Sequence, residues 1–195
     1  AAAAATFEQA LQLRPTRNDL LELYREYATA LMRSQQPEKA MAIWQRMEAA
    51  FPADRRVLQI VAESLSREGR WTDALPRFQK LAETSTDAEQ RVQLLLSAVD
   101  LLLQLKRDTE ALQTLTDLLT EVEPDGWLAR DIRRRIETHY LKQRGPGPLA
   151  EFYEQWLERH PDDLAAMDRI AVALQLDNRP AEAERWLRQA VELAP

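Results

Sequence analysis

The sequence contains no cysteine, and this absence excludes disulfide bonds, thiolate catalysis and zinc sites with cysteine ligands. It has only two histidines, His139 and His160, which excludes a histidine-rich metal site. Four glycines in 195 residues are too few for a glycine-rich loop that holds a phosphate. No apolar run reaches the roughly 18 residues that a membrane-spanning helix needs.

Acidic residues outnumber basic residues, 32 to 26, so the formal net charge is −6 at pH 7. A nucleic-acid-binding protein needs a strongly positive field, so this balance predicts no nucleic-acid partner. Hydrophobic residues make up 45% of the chain and charged residues 30%, which suits a buried core with a solvated surface. We expect no direct contact with a membrane, and the compartment is left open between cytoplasm and periplasm.

An internal repeat is visible in the spacing of small and large side chains. A mostly small residue is followed after four positions by a large one, and three positions later by another residue of the same face. These anchors recur 34 to 38 residues apart. The first positions are Ala3, Ala40, Ala74, Ala111, Leu149 and Ala183; the second are Phe7, Trp44, Phe78, Leu115, Tyr153 and Leu187; the third are Ala10, Met47, Leu81, Leu118, Trp156 and Ala190.

This register predicts paired helices. A small side chain lets a neighbouring helix approach, a large one a turn later fills the space, and a proline ends the helix. Between the anchored helices lie others of the same period, and Gly69 suits the left-handed residue that closes one of them. Pro37 and Pro180 suit first turns, whereas Pro76 predicts either a late helix start or a tighter first turn. The expected capping acids are Asp19, Asp54, Asp87, Asp125 and Asp163.

The chain resembles the tetratricopeptide-repeat (TPR) family. The last repeat matches best, over residues 165–174 and 180–187 with Ala194 and Pro195 at its close, and the repeat with Ala62, Gly69, Trp71, Ala74 and Phe78 is similar. Three of the five anchor spacings exceed the 34 residues of the family, and Leu149 replaces a small residue. The resemblance implies an all-α, right-handed α-solenoid of antiparallel helix pairs with about 11 helices.

The register predicts a single repeat domain over residues 1–195. Its first helix, at 1–14, is an unpaired helix of the second type, and five helix pairs follow at 17–51, 54–85, 87–123, 125–160 and 162–194. The last helix still carries Trp186, Leu187 and Val191, although a terminal repeat usually presents a polar face. We therefore expect the chain to be a fragment of a longer protein, or to pair with a second copy there.

No catalytic group, metal ligand or cofactor site is predicted. His139 has no metal-binding spacing around it, and His160 suits a cation at a helix C-terminus. The acids Asp162, Asp163, Glu182 and Glu184 are typical of caps and solvated helix surfaces, because no apolar residues enclose them. Residues 145–148, Gly-Pro-Gly-Pro, form a stiff turn without the chemistry of a nucleotide loop.

Two helices leave an alternative open. Residues 92–105 are apolar almost all round, which favours a helix covered by both neighbours, or otherwise an apolar patch for a partner helix. Residues 130–144 are basic, which favours a solvated face with internal ion pairs, or otherwise a site that binds an acidic peptide, a C-terminal carboxylate or an anionic surface. The tryptophans are interpreted as packing residues, and Trp127 as a staple to the preceding turn.

By the TPR resemblance, the first helix of each pair lines a concave wall that binds a protein or peptide partner. The implied partner-binding positions are Glu22, Arg25, Thr29, Arg33, Gln59, Glu63, Arg67, Arg134, Lys142, Asp168, Val172 and Gln175. The leading hypothesis is a non-catalytic interaction scaffold. The alternatives are a self-assembling segment of a large bacterial protein, of the membrane-coat-like or polysaccharide-export type, that associates through its terminal helices, and a docking part of an enzyme.

Overall fold

The chain folds into α-helices joined by short turns. The structure, a computed structural model, describes residues 2–13 and 15–194, without the side chains of residues 2–4. Within these residues there are eleven helices and no strand: α1 Ala2–Gln12, α2 Arg17–Arg33, α3 Pro37–Ala50, α4 Arg55–Arg67, α5 Trp71–Glu83, α6 Ala88–Gln104, α7 Asp108–Glu121, α8 Trp127–Gln143, α9 Pro146–Arg159, α10 Leu164–Leu176 and α11 Pro180–Leu193. The predicted all-α class and helix number are confirmed.

Some predicted features lie outside the described residues. These are Ala1 and Arg14 at the ends of the expected first helix, the side chain of the anchor Ala3, and Pro195 at the close of the last repeat.

The chain divides into two compact units, Ala1–Ala111 and Leu112–Pro195. In the first unit α2 packs against α3, α4 against α5 and α5 against α6, and α2 also contacts α4. In the second unit α8 packs against α9, α9 against α10 and α10 against α11. Because the connecting turns are short, successive helices that pack together run antiparallel, as in repeat arrays built from nearest-neighbour contacts.

Burial confirms the packing register in α3, α5, α7 and α9. The anchors in these helices are 0 to 3% exposed, and the large residues four positions later are 0 to 7% exposed. In α11 the register is only partly buried, because Ala183 is 1% exposed whereas Leu187 is 38% exposed. From α3 onward, the alanine anchor is therefore buried in every described repeat that has one. The large residue four positions later is buried in all of these repeats except the last.

Replacing Ala74 with leucine is expected to destabilise the fold by about 1–3 kcal/mol, because the added atoms have no space in a packed helix contact. Ala74 is fully buried, and Leu75 and Phe78, which follow it on α5, are also buried. Urea unfolding followed by circular dichroism measures the change. The exposed neighbour Thr72 provides the control, since Thr72→Leu should leave the midpoint nearly unchanged. A midpoint for Ala74→Leu equal to that of the unaltered chain would contradict the register.

One turn geometry closes four of the helices. The residue after the cap has a positive φ, and the next backbone N–H donates to the carbonyl oxygen five residues earlier, which is the Schellman arrangement. The positive-φ residues are Gln35 (57°), Gly69 (73°), Lys106 (60°) and Asn178 (62°). The hydrogen bonds are Gln36 to Leu31, Arg70 to Leu65, Arg107 to Leu102 and Arg179 to Leu174, at 2.8–2.9 Å. The prediction for Gly69 is confirmed.

Helix starts agree only in part with the predicted caps. Asp54, Asp87 and Asp163 accept hydrogen bonds from backbone N–H groups in the first turns of α4, α6 and α10, as expected. The prediction that Asp19 and Asp125 are N-caps is wrong, because Thr16 is the N-cap of α2 and Gly126 is the N-cap of α8. In α2 the threonine hydroxyl is nearer the start, and Asp19 occupies the first turn, where a negative charge is also favourable.

Two prolines begin their helices as predicted, and one does not. Pro37 and Pro180 are the first residues of α3 and α11. Pro76 lies inside α5, which begins at Trp71, so neither a late start nor a tighter first turn explains it. Its ring nitrogen cannot donate to the carbonyl of Thr72, and the helix continues without that bond.

Candidate protein-binding surfaces

All twelve predicted partner-binding positions reach the molecular surface. Ten are exposed, and Arg25 and Thr29 are half-buried. Seven lie on α2 and α4 of the first unit, which we name the α2–α4 surface: Glu22, Arg25, Thr29, Arg33, Gln59, Glu63 and Arg67. Five lie on α8 and α10 of the second unit, the α8–α10 surface: Arg134, Lys142, Asp168, Val172 and Gln175.

Polar side chains of the α2–α4 surface pair along their own helices. The Arg25 guanidinium donates to Glu22 and, at 3.3 Å, to Glu26. The Gln59 amide donates to a Glu63 carboxylate oxygen at 2.8 Å. Exposed pairs of this kind contribute only about 0.3–0.5 kcal/mol, so a ligand can displace them at low cost.

A cavity of about 310 Å³ extends the α2–α4 surface toward α6. Glu63 and Arg67 line it together with Ser97 and Asp100. The sequence interpretation missed the two α6 residues. Their three-residue spacing within an otherwise apolar helix, which places both on one face, was the available signal.

The apolar helix at 92–105 is largely covered. Val92, Leu96, Val99, Leu101 and Leu102 are buried, and Leu94, Leu95, Leu103 and Leu105 are half-buried. This pattern favours the interpretation of a helix covered by its neighbours over that of an open apolar patch.

A second cavity, of about 390 Å³, lies between α8 and α10. It is lined by Trp127, Arg130 and Arg134 of α8 and by Arg169 of α10. The three α8 residues are three and four positions apart, so they lie on one face of the helix. Of the predicted positions only Arg134 lines it. Trp127 is 51% exposed, so about half of its surface is open to a ligand. Trp127 and Arg130 share a helical face with Arg134, and this spacing was the signal that could have identified them as lining residues.

The carboxylate of Asp131 orders the arginines beside this cavity. Arg134 pairs with it one turn along α8, and Arg135 donates to it at 2.8 Å. Partial burial acts to raise the pKa of Asp131, but the hydrogen bonds from Arg135 and Arg134 outweigh that effect and hold the pKa below its ordinary value. The Arg134 side chain is nevertheless 74% exposed, so its guanidinium can also meet a ligand.

The Glu137 side chain is held in position by a hydrogen bond from a buried tyrosine. The Tyr153 hydroxyl of α9 donates to a Glu137 carboxylate oxygen at 2.8 Å, and the Arg169 guanidinium lies 3.6 Å from the same oxygen. Burial raises the pKa of Tyr153 well above its ordinary value, and the Glu137 carboxylate raises it further. The phenol therefore remains a hydrogen-bond donor throughout the neutral range, and Glu137 in turn positions Arg169 at the cavity.

The basic stripe of residues 130–144 is only partly available to a partner. Arg133 is 3% exposed, donating to Asp163 at 2.7 Å and to the carbonyl of Pro124 at 2.8 Å. Arg130 donates to the carbonyl of Asp125 at 2.7 Å, and Arg144 lies over the Tyr140 ring. Contacts within the chain thus engage much of the positive charge of this stripe.

Neither histidine lies in a metal-binding cluster. In the described part of the chain, no three His, Asp or Glu side chains converge in a way that could hold a metal ion. His139 is buried, and His160 stacks on the Trp156 ring at a centroid distance of 4.1 Å while it caps the C-terminus of α9. None of the helices described at 2–13 and 15–194 has the length and apolar character of a membrane span.

No family model matches the sequence, and no curated protein matches it. It is similar to the solved structure of a MamA protein, at 14% identity over 89% of this chain and 91% of that one, with a TM-score of 0.49. Residues 41 to the end of MamA from Desulfovibrio magneticus RS-1 give 16% identity over 89% and 94%, with a TM-score of 0.46. The structure of YrrB, described as a TPR protein with an unusual peptide-binding site, has 15% sequence identity over 97% of this chain and 92% of that one, with a TM-score of 0.45.

These similarities concern the fold, and they transfer no function to the chain. The resemblance to TPR proteins that the sequence indicates is confirmed at the level of the fold, in which paired helices pack through the predicted register.

Proposed function

We propose that the chain is a non-catalytic scaffold that binds segments of partner proteins on the exposed faces of its first-type helices. The α8–α10 cavity is the observation that carries this proposal. There a half-exposed tryptophan stands beside three arginines drawn from two helices, which are the residue types most enriched at protein interfaces. An acidic or carboxylate-bearing segment fits this surface, because guanidinium groups bind carboxylates through paired hydrogen bonds.

The helical framework favours binding by lowering its entropic cost. Arg134 and Arg169 project from helices held together by the buried contacts of α8, α9 and α10, and Tyr153 and Glu137 restrain Arg169. A surface that is ordered before binding loses little conformational freedom when a ligand arrives.

Reversing charges on each surface tests the proposal. The chain of residues 1–195 is titrated with an array of acidic, neutral and basic peptides, and so are two double variants: one carries Arg134→Glu and Lys142→Glu, the other Arg25→Glu and Arg67→Glu. We expect each double variant to lose about tenfold or more in affinity for the acidic peptides that bind its surface, since a lost charge-assisted contact is worth about 1.4 kcal/mol or more.

The matched control is the double reversal of Lys39 and Arg159, which are exposed and line neither surface. It should bind the same peptides with unchanged affinity. If both surface variants keep the affinity of the unaltered chain, the partner-binding positions are wrong.

A second candidate function is self-association through α11. Leu187 and Val191, one turn apart on the same side of α11, are 38% and 75% exposed, an apolar patch that pairing would cover. Sedimentation at several concentrations distinguishes the two functions, because a strict monomer excludes self-association and leaves the scaffold proposal intact.

A further inference from the structure

A crevice of about 730 Å³ lies in the first unit. It is bounded by the end of α3, the connector that follows it, the first turns of α4 and one side of α5, and we name it the α3–α5 crevice. None of the twelve predicted positions lines it. Its volume is within the range of sites that enclose a drug-sized ligand or a few peptide side chains.

The crevice is apolar along its walls. The rings of Phe51, Pro52 and Pro76 and the aliphatic side chains of Val57 and Leu58 line it. Pro76 is exposed in the interior of α5, where proline is costly because it removes a helix hydrogen bond. A costly residue that adds a rigid apolar ring to an open cavity is more readily explained by a ligand than by helix stability.

The walls are held in place by the protein itself. Asp54 accepts from the backbone N–H groups of Arg56 and Val57, at 3.0 and 3.4 Å, and pairs with Arg17. Arg17 also lies over the Phe51 ring, 5.8 Å from its centre. The connector therefore has a fixed conformation before any ligand binds.

The charges of the crevice are unequal. Its two carboxylates are engaged, Glu48 by Arg77 through two hydrogen bonds of 2.7 and 2.8 Å and Asp54 as described. Among the described residues Lys80 has neither an ion pair nor a side-chain hydrogen bond, and Arg55 donates only to the neutral amide of Gln90. Two positive charges thus remain beside an apolar cavity without an acid to balance them.

This combination of side chains occurs where the second and third repeats meet and is not a consequence of the fold. Where the last two repeats meet, the positions that correspond to Phe51, Pro76 and Lys80 in the anchor register hold His160, Arg185 and Gln189. At the position of Arg77 stands the half-buried Trp186. The crevice is therefore set by particular side chains of the second and third repeats.

We propose that the α3–α5 crevice is a further binding site, for a short acidic peptide segment of a partner protein that inserts one bulky apolar side chain. The apolar side chain lies among Phe51, Leu58 and Pro76, and the flanking carboxylates pair with Lys80 and Arg55. This site acts independently of the α2–α4 and α8–α10 surfaces, and either proposal can fail without the other.

The test is a titration of the isotopically labelled full chain with unlabelled five-residue peptides, followed by nuclear magnetic resonance. The probe has a central tryptophan between glutamates; the comparison peptides have tryptophan between lysines and serine between glutamates. We expect the probe to bind with a Kd of about 10–100 µM, to shift the amides of Phe51, Ala53 and Leu58, and to bind about tenfold more tightly than either comparison peptide.

Three variants sharpen the result. Lys80→Glu should weaken the probe about tenfold, whereas Lys39→Glu, the same charge change on an exposed lysine outside the crevice, should have no effect. Pro76→Ala should weaken the probe while it makes the chain more resistant to unfolding, a combination that a purely structural role of Pro76 does not produce.

The proposal is overturned if the probe does not bind, or if Lys80→Glu and Lys39→Glu behave alike. It is also overturned if N-acetyltryptophan, a small carboxylate with the same ring, binds as tightly as the probe, since the occupant would then be a small molecule and not a peptide.

Discussion

Replacing Asp163 with alanine should reduce the free energy of unfolding by about 3–5 kcal/mol, the cost of leaving a buried charge without its partner. Among the described residues, Asp163 is the one carboxylate that pairs with Arg133, whose side chain is 4% exposed and would stay out of water without it. Arginine cannot release its proton to relieve this cost. The charge must therefore persist in the folded protein or the local structure must open.

Asp163 joins three helices, which explains the size of the effect. One carboxylate oxygen accepts from Arg133 of α8 at 2.7 Å and from the Trp156 indole of α9 at 2.8 Å. The other accepts from the backbone N–H of Ala166 in the first turn of α10 at 2.9 Å. Alanine removes all three bonds, including a helix cap that alone is worth about 1 kcal/mol.

Urea unfolding followed by circular dichroism measures this prediction, and two variants control it. Asp162→Ala, at the exposed neighbouring residue, should change stability by less than about 0.5 kcal/mol. Asp54→Ala removes a cap at the same register, but its partner Arg17 is 57% exposed, so a loss of about 1 kcal/mol is expected. If Asp163→Ala costs no more than Asp54→Ala, the buried pair is not a major source of stability.

The contrast between Asp54 and Asp163 shows what the sequence can predict. Both were correctly assigned as caps, because a cap is a local pattern of an acid before an apolar period. The sequence could not show that Asp163 also neutralises a buried arginine, since that depends on α8 and α10 lying side by side. Arg133 was accordingly placed in an exposed basic stripe.

The same distinction applies to the candidate sites. The packing register was predictable because it repeats and each small residue has one neighbour to accommodate. The α8–α10 cavity depends on Trp127 and Arg169, which belong to different repeats, and the α3–α5 crevice depends on a connector whose conformation no periodic pattern encodes. The cap of α2 was wrongly predicted for a simpler reason. Thr16 and Asp19 can both accept a hydrogen bond from the first-turn backbone, and only the three-dimensional geometry selects between them.

Replacing Trp44 with alanine should cost about 3–5 kcal/mol, as expected for a large aromatic side chain removed from a packed core. Trp44 is 1% exposed on α3, four residues after the fully buried Ala40 and three before the fully buried Met47. A cavity at this position removes contacts that the two neighbours cannot replace, because backbone packing around Ala40 fixes the distance between helices.

Trp44→Phe separates packing from hydrogen bonding. The Trp44 indole nitrogen is buried and has no hydrogen-bond partner among the described residues, so phenylalanine loses only part of the ring volume and removes an unsatisfied polar group. We expect a cost of about 1–2 kcal/mol, well below that of alanine. The control is Trp127→Ala, at the half-exposed tryptophan of α8, which should change stability by less than about 0.5 kcal/mol. Equal losses for Trp44→Phe and Trp44→Ala in urea unfolding would mean that ring volume does not stabilise this contact, and would contradict the size-based register from which the fold was predicted.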